Sequence, residues 1–599
     1  MHVCTPDEMR EIEARVDASG HSYDDMMALA GAAVAAAVRD RGHKPSVVAL
    51  CGPGNNGGDG LVAAAALARD GSDVKALLWR RDPGDLPAPV DRDAFALVEV
   101  ARDTDDGWPE RLAAWLAEAD VIVDALLGTG GGRAIESPLA DILRIALEAA
   151  EEPGGPIVVA VDAPTGLNLA DGTVDPAILP ADVTVTFGFP KVGQLTFPGA
   201  AYIGDLIVDD IGMPDDLATG TLHMATAEDV AATLPVRPIS GHKGTFGKAL
   251  VAAGSVNYTG AAFLAAAAAY RVGAGLVTAA IPASLHPIIA GLVPEATFLL
   301  LPEDLGVVSR AAAELIADAA VNYDALLLGP GLTDQRPAAE FLHDLLRDGL
   351  GHPHHHTEAI GFESLRSRPA SAEGDDAGGD SHAENAENRV RQGETDGDSD
   401  RRPSERRPSD RGAGDRSGGR PTMVVDADGL NILASKFAPA SDAASVDAAL
   451  GLLPPETVLT PHPGEMARLT GRTAAEINAD RVGAARDAAA QWGHILVLKG
   501  ALTVVAAPDG RATIVPHANP ALATAGTGDV LSGAIAGLLA QGMAPFDAAV
   551  AGAYLHAVAG EMAGEAMGQR GTTAGDVLRH LAWAVAEIEG DESDRPTAC

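Results

Sequence analysis

The chain has 599 residues and a formal charge of −41, with 84 acidic residues set against 43 basic ones. That length exceeds the roughly 100 to 200 residues of one ordinary domain, and that charge repels nucleic acid and anionic membrane surfaces, which excludes both as partners. An acidic surface suits a salt-rich cytoplasm in which screening weakens self-repulsion, so a halophilic source is expected.

The three cysteines, Cys4, Cys51 and Cys599, are too few and too scattered for a disulfide framework in so long a chain, which points to a reducing compartment. The segment Met1 to Arg10 is polar and charged. The longest apolar stretches, residues 28–38 and 261–269, fall short of the roughly 20 residues of a membrane span. A cytoplasmic protein without signal peptide or anchor is expected.

In chain order, a first block over residues 1–225 opens with a helical pattern. It then shows short apolar runs that read as buried strands: Ser46 to Cys51, Val121 to Asp124 and Ile157 to Asp162. Stretches rich in Ala, Leu and Glu separate them. A linker is expected over residues 226–239. A second block over residues 240–590 repeats the grammar, with strands read at Ala249 to Ala253, Leu326 to Leu328, Met423 to Asp426, Val458 to Thr460 and Ile495 to Leu498. Alternation of strand and helix predicts an α/β protein of two domains, each with a mostly parallel sheet covered on both faces. Ligands of such sheets bind beyond the carboxyl ends of the strands.

Between residues 351 and 420 the composition collapses to Gly, Ser, Asp, Glu, Arg and Pro, too polar to fold, so a disordered insertion is expected inside the second domain. Its His352, His354, His355 and His356 lack the acid or thiol partners of a dedicated metal site.

The chemistry-bearing residues sit at strand ends. Gly52-Pro53-Gly54-Asn55-Asn56-Gly57-Gly58-Asp59-Gly60 stands between a strand and a helix expected to start near Leu61. Its glycines admit a ligand close to the backbone, and the helix end offers N–H groups to phosphate. Neither a Walker loop nor the dinucleotide fingerprint has this spacing. Asp124-Ala125-Leu126-Leu127-Gly128-Thr129-Gly130 and Asp162-Ala163-Pro164-Thr165-Gly166 end two further strands. Their carboxylate and hydroxyl oxygens, with the Asn amides, could hold a hard cation. A lone Asp at a strand end is often only a helix cap, but three loaded ends in one domain strain that explanation.

These segments resemble the NAD(P)H-hydrate epimerase family, which has a Rossmann-like three-layer fold. The resemblance implies potassium at Asn56, Asp124 and Thr165. It also implies contacts to hydrated NADH or NADPH from Asn55, Asn56, Gly57, Gly58 and Asp59, from Gly128, Thr129, Gly130, Gly131, Gly132, Arg133 and Ala134, and from Asp162, which is also the candidate acid/base. The family more often has Ile-Pro-Ser where this chain has Ala163-Pro164-Thr165; threonine keeps the hydroxyl.

In the second block, Gly526-Thr527-Gly528-Asp529 precedes a helical run from Val530 to Leu539, so its N–H groups can cradle phosphoryl oxygens beside Asp529 as base. That is the anion-hole arrangement of ribokinase-like enzymes. Around it stand His242 to Lys248, Tyr258-Thr259-Gly260-Ala261, Gly329-Pro330-Gly331, Asp426 to Asn431, Thr460-Pro461-His462-Pro463-Gly464-Glu465 and Lys499-Gly500-Ala501-Leu502-Thr503. The set resembles the ADP/ATP-dependent NAD(P)H-hydrate dehydratase family, of ribokinase-like fold, and His462 to Glu465 separate it from sugar and vitamin kinases. Thr245 stands where relatives are often acidic.

By that resemblance Ala261, Gly331, His462 and Asp529 meet the hydrated nucleotide. Lys499, Gly500, Ala501, Leu502, Thr503 and Gly528 meet ADP, the expected co-substrate, with magnesium bridging its phosphates. Asp529 and Asp162 are the catalytic candidates. The order of the two halves is that of a bifunctional repair enzyme, an isomerase joined to a lyase. The N-terminal half interconverts the R and S hydrates, and the C-terminal half dehydrates the S form with release of AMP and phosphate. The rival reading is a ribokinase-like vitamin or sugar kinase fused to a non-catalytic nucleotide-binding domain. Small-molecule substrates are the only partners expected, and association into a homo-oligomer is left open.

Overall fold

The computed structural model describes residues 1–128, 134–214, 217–349, 420–435 and 443–590. Seven strands form the first sheet: β1 (Val47–Cys51), β2 (Val74–Leu78), β3 (Glu99–Arg102), β4 (Val121–Ala125), β5 (Ile157–Val161), β6 (Val183–Phe187) and β7 (Asp205–Asp209). Their order is β3-β2-β1-β4-β5-β6-β7 and every pairing is parallel. Successive residues of β1 face opposite layers, as the period of a strand requires. Val47, Ala49 and Cys51 pack with Val34, Val38 and Leu61 of helices Tyr23–Arg39 and Asn55–Arg69. Val48 and Leu50 pack with Leu112 and Ile142 of helices Trp108–Leu116 and Leu139–Ala150. Both faces are therefore dry, which is why these strands read as continuous apolar runs. Chain order reverses between β1 and β4, and that is the crevice where a ligand of such a sheet sits.

The second sheet has ten strands: β8 (Leu222–Met224), β9 (Lys248–Ala252), β10 (Leu276–Pro282), β11 (Thr297–Leu301), β14 (Ala325–Leu328), β15 (Thr422–Val425), β16 (Val458–Leu459), β17 (Ile495–Leu498), β18 (Val504–Ala506) and β19 (Ala512–Ile514). A small hairpin, β12 (Glu303–Asp304) and β13 (Val307–Val308), stands apart. The order is β11-β10-β9-β14-β15-β16-β17-β18-β19-β8, parallel from β11 to β17 and antiparallel through β18 and β19. Small residues let helices lie close to it: Ala265 and Ala269 of helix Thr259–Arg271 are buried among Ala534 and Leu538 of helix Thr527–Ala540.

Three local expectations change. Residues 222–233, assigned to the end of the first block and to the linker, belong physically to the second sheet. β8 pairs with β19, and helix Ala227–Thr233, capped by Thr226, buries Val230 in the second core. Both glycine motifs are the first turns of their helices rather than loops before them, since the helices start at Asn55 and Thr527. Gly57 shows why glycine is accepted in a helix there: a Cβ on it would stand 2.0 Å from the Gly52 carbonyl oxygen, so close approach outweighs the roughly 1 kcal/mol propensity cost.

The first residues stitch the two sheets together. Val3 donates to the Leu222 carbonyl and Met224 to that of Met1, while Cys4 donates to the Pro190 carbonyl and Val192 to that of Cys4. The insertion, save Arg420, and its histidines lie outside the described residues, as does Cys599. No described helix is long and apolar enough to cross a membrane.

Candidate functional sites

In the first domain, helix Asn55–Arg69 begins on Gly54 with no side-chain cap, leaving its first N–H groups to a ligand. Asp124, at the end of β4, is fully buried. It accepts the Thr165 N–H and the Thr165 hydroxyl, each at 2.7 Å, and Thr165 Oγ1 in turn accepts the Leu127 N–H at 3.1 Å. Burial outweighs these bonds and pushes the Asp124 carboxyl up to about 6. No lysine or arginine pairs with it among the described residues. The Asn56 amide lies against Gly128, with its Nδ2 buried and without a partner. A buried carboxylate without counter-charge, a hydroxyl and an amide that can turn its oxygen inward suit a hard monovalent cation.

Asp162 follows β5 in a left-handed conformation, φ 61°, which aims a side chain at the same rim. Its Oδ1 accepts Lys191 Nζ at 2.6 Å and the Thr186 hydroxyl at 2.9 Å. Lys191, 1 % exposed, spends its other N–H bonds on Thr186 Oγ1 and the Phe187 carbonyl, and Gln194 donates to the Asp162 carbonyl. This buried ion pair has every lysine proton satisfied. Asp59, in the second turn of its helix, is held well above the usual carboxylate range by burial and by the facing Asp162 and Glu13. The sequence reading had missed Lys191, Thr186, Gln194 and Glu13. The run Phe189-Pro190-Lys191-Val192-Gly193-Gln194 after the apolar Val183–Phe187 was a fourth loaded strand end and could have been found. Gly128 and Ala134 are described; Thr129, Gly130, Gly131, Gly132 and Arg133 lie outside the described residues.

In the second domain, Gly526 is a left-handed N-cap, φ 91°, again without a side-chain cap, and Asp529 stands in the first turn. Burial and then Asp426 push the Asp529 carboxyl up to about 7. Lys499 Nζ is 2.6 Å from Asp426 Oδ1 and 3.7 Å from Glu465 Oε2, and the Thr460 hydroxyl shares that Asp426 oxygen at 2.7 Å. Asp426 Oδ2 is buried with no partner. A Cβ on Gly528 would stand 3.4 Å from Lys499 Nζ, so the ammonium borders the space over the helix end.

His462 caps helix Pro463–Thr470: Nδ1 accepts the Gly464 and Glu465 N–H groups, which fixes the proton on Nε2. Gly331 and Ala261 meet, a Cβ on the former falling 2.9 Å from that of the latter. Thr503 Oγ1 donates to the Gly500 carbonyl, and Leu502 N–H donates to the His517 carbonyl, while Ala501 is exposed between them. Sequence reading also missed His556, buried beside the Thr527 backbone, with Nε2 unpartnered and the ring pushed down to about 4 by burial. A histidine inside an Ala-rich helix gives no signal of its own.

The family model described as NAD(P)H-hydrate dehydratase matches residues 249–351 and 415–582, and the one described as YjeF-related protein N-terminus matches residues 23–193. The chain is 36% identical over 557 residues, 91% of this chain and 88% of the other, to a protein of Moorella thermoacetica named bifunctional NAD(P)H-hydrate repair enzyme Nnr. It is 32% identical, over 94% of this chain and 92% of the other, to the protein of the same name from Salinibacter ruber. A solved structure of ADP/ATP-dependent NAD(P)H-hydrate dehydratase from Bacillus subtilis, 26% identical, covers 62% of this chain and 100% of its own, with a TM-score of 0.43.

Proposed function

Because the chain belongs to the family of bifunctional NAD(P)H-hydrate repair enzymes, we infer that it restores hydrated NAD(P)H through two sites: an epimerase on the first sheet and a nucleotide-dependent dehydratase on the second. The kinase-fusion alternative finds no support, since relatives matched along nearly the whole chain carry the repair name.

For the dehydratase, the supporting observation is Asp529, with its carboxyl raised to about 7, in the first turn of an uncapped helix beside Gly528 and Lys499. ADP phosphorylates the C6 hydroxyl of the S hydrate. Asp529 takes the hydroxyl proton as the terminal phosphoryl group moves, and the N–H groups at Gly526 to Gly528 receive the developing charge. AMP leaves. The ring nitrogen lone pair then expels phosphate from C6, and loss of a proton from C5 restores the double bond of NAD(P)H. Phosphate replaces hydroxide as the leaving group, and that is the purpose of the nucleotide. Lys499 to Thr503 border the nucleotide, and Ala261, Gly331 and His462 the hydrate. Magnesium fits the excess of Asp426, Asp428, Glu465 and Asp529 over Lys499, and would supply charge neutralisation at the phosphates.

In the epimerase, Asn56, Asp124 and Thr165 would hold potassium, which supplies counter-charge to Asp124 and stiffens the crevice. Asp162 moves the proton that inversion at C6 requires, with Lys191 and Thr186 fixing its Oδ1. Asn55 to Asp59 and the Gly128-to-Ala134 loop enclose the nucleotide.

The test supplies mixed epimers of hydrated NADH with ADP and magnesium and follows the return of NADH absorbance. Full return at a rate above spontaneous epimerisation is expected. No return overturns the dehydratase, and a fast half followed by a spontaneous half overturns the epimerase.

A further inference from the structure

We propose that the cleft between the two domains is a third ligand site, which takes a small phosphate-bearing molecule with an apolar body and holds it through Arg481 and Arg486. This cavity, about 790 Å³, is walled by Val192 and Leu195 of the first domain and by Val482 and Val504 of the second, with the two arginines on the helix Arg481–Trp492. Its volume lies in the range of small-molecule sites.

The charge arrangement at this wall sets it apart. In a chain with twice as many acids as bases, neither arginine pairs with a carboxylate among the described residues. Arg481 gives Nη1 to Asn478 Oδ1 and Nη2 to the Leu498 and Lys499 carbonyls, and Arg486 gives Nη2 to Thr221 Oγ1. Both Nε–H groups are buried without an acceptor. Burial alone pushes the Arg481 guanidinium down to about 10. The acids that also line the cleft accept backbone N–H groups, Glu8 from Thr5, Asp171 from Thr173 and Asp480 from Gly483, and the Asp480 charge offsets only part of the cost of burying Arg486. A partly buried guanidinium without a counter-ion is costly, and a phosphate is the anion its planar fork matches. The apolar walls set the rest of the ligand. Occupancy would also be felt next door, since Arg481 grips the carbonyls of Leu498 and Lys499 at the head of the nucleotide loop.

The probe is phenyl phosphate, titrated calorimetrically into the full-length chain. Saturable binding at one site is expected, weakened at least tenfold by Arg486→Gln and removed by Thr196→Trp, which fills the cleft. Neither saturating ADP nor saturating NADP⁺ should displace it, which separates this site from both catalytic ones. Circular dichroism and dehydratase turnover confirm that each variant is folded. Unchanged binding in Arg486→Gln and Thr196→Trp, displacement by ADP or NADP⁺, or no saturable binding to the wild type overturns the proposal.

Discussion

Lys499 Nζ stands 2.6 Å from Asp426 Oδ1, so the lysine at the head of the Lys499-to-Thr503 loop is anchored by a carboxylate that is 1 % exposed. The pair sets where the Lys499 ammonium stands beside Gly528, at the proposed phosphate position. Asp426→Asn keeps the shape and removes the anchor charge. It is expected to cut dehydratase kcat/KM for ADP by at least about tenfold, with epimerisation unchanged. Equal kcat/KM in variant and wild type would detach Asp426 from the mechanism.

As the proposed base, Asp529 works only when ionised, and burial with Asp426 beside it pushes its carboxyl up to about 7. Dehydratase kcat/KM should therefore fall as pH drops through about 7, with a slope of one. Asp529→Asn should lose roughly 10²-fold or more of dehydration and spare epimerisation. A rate independent of pH between 5.5 and 8 would remove Asp529 as the base.

Asp124, with its carboxyl raised to about 6, would tie binding of the proposed potassium ion to pH. Its folded value lies above the unfolded one, so its contribution to stability is full below about 4 and is lost as pH rises through about 6. A cation binds the ionised form and offsets that loss. Potassium should raise the melting temperature at pH 7.5 and do so much less at pH 5. Asp124→Asn should abolish the difference, read by thermal unfolding in matched ionic strength.

Lys191→Met leaves Asp162 buried without its ion pair and should destabilise the first domain by about 3 kcal/mol or more. The double variant Asp162→Asn, Lys191→Met should regain most of that stability and none of the epimerase activity. If the double variant unfolds as easily as the single one, the cost lies in packing of the lysine stem.

The acidic surface carries its own test. Unfolding should be cooperative in molar salt and weakened at low salt, where self-repulsion is unscreened. Equal stability in both would remove the halophilic reading.

Much was legible in the sequence because period, glycine spacing and strand ends are local properties. Val47–Cys51, Ile157–Val161 and Ile495–Leu498 announce themselves by unbroken apolar runs that only doubly covered parallel strands need. The glycines of Gly526 to Asp529 and Asn55 to Asp59 announce two helix starts that lack a side-chain cap. The short strands β2, β3, β18 and β19 escaped notice, since runs of three to five residues do not stand out from helix or loop.

The sequence by itself determined two α/β domains, their order and the strand ends where polar and glycine residues gather, because those follow from patterning within tens of residues. Only the tertiary structure decided which charges meet. Lys191 reaches Asp162 across 29 positions, and Lys499 reaches Asp426 across 73. Residues 1–4 join a strand more than two hundred positions away. Such pairs are set by sheet order and by the low dielectric of the core, neither of which leaves a mark on the neighbouring sequence.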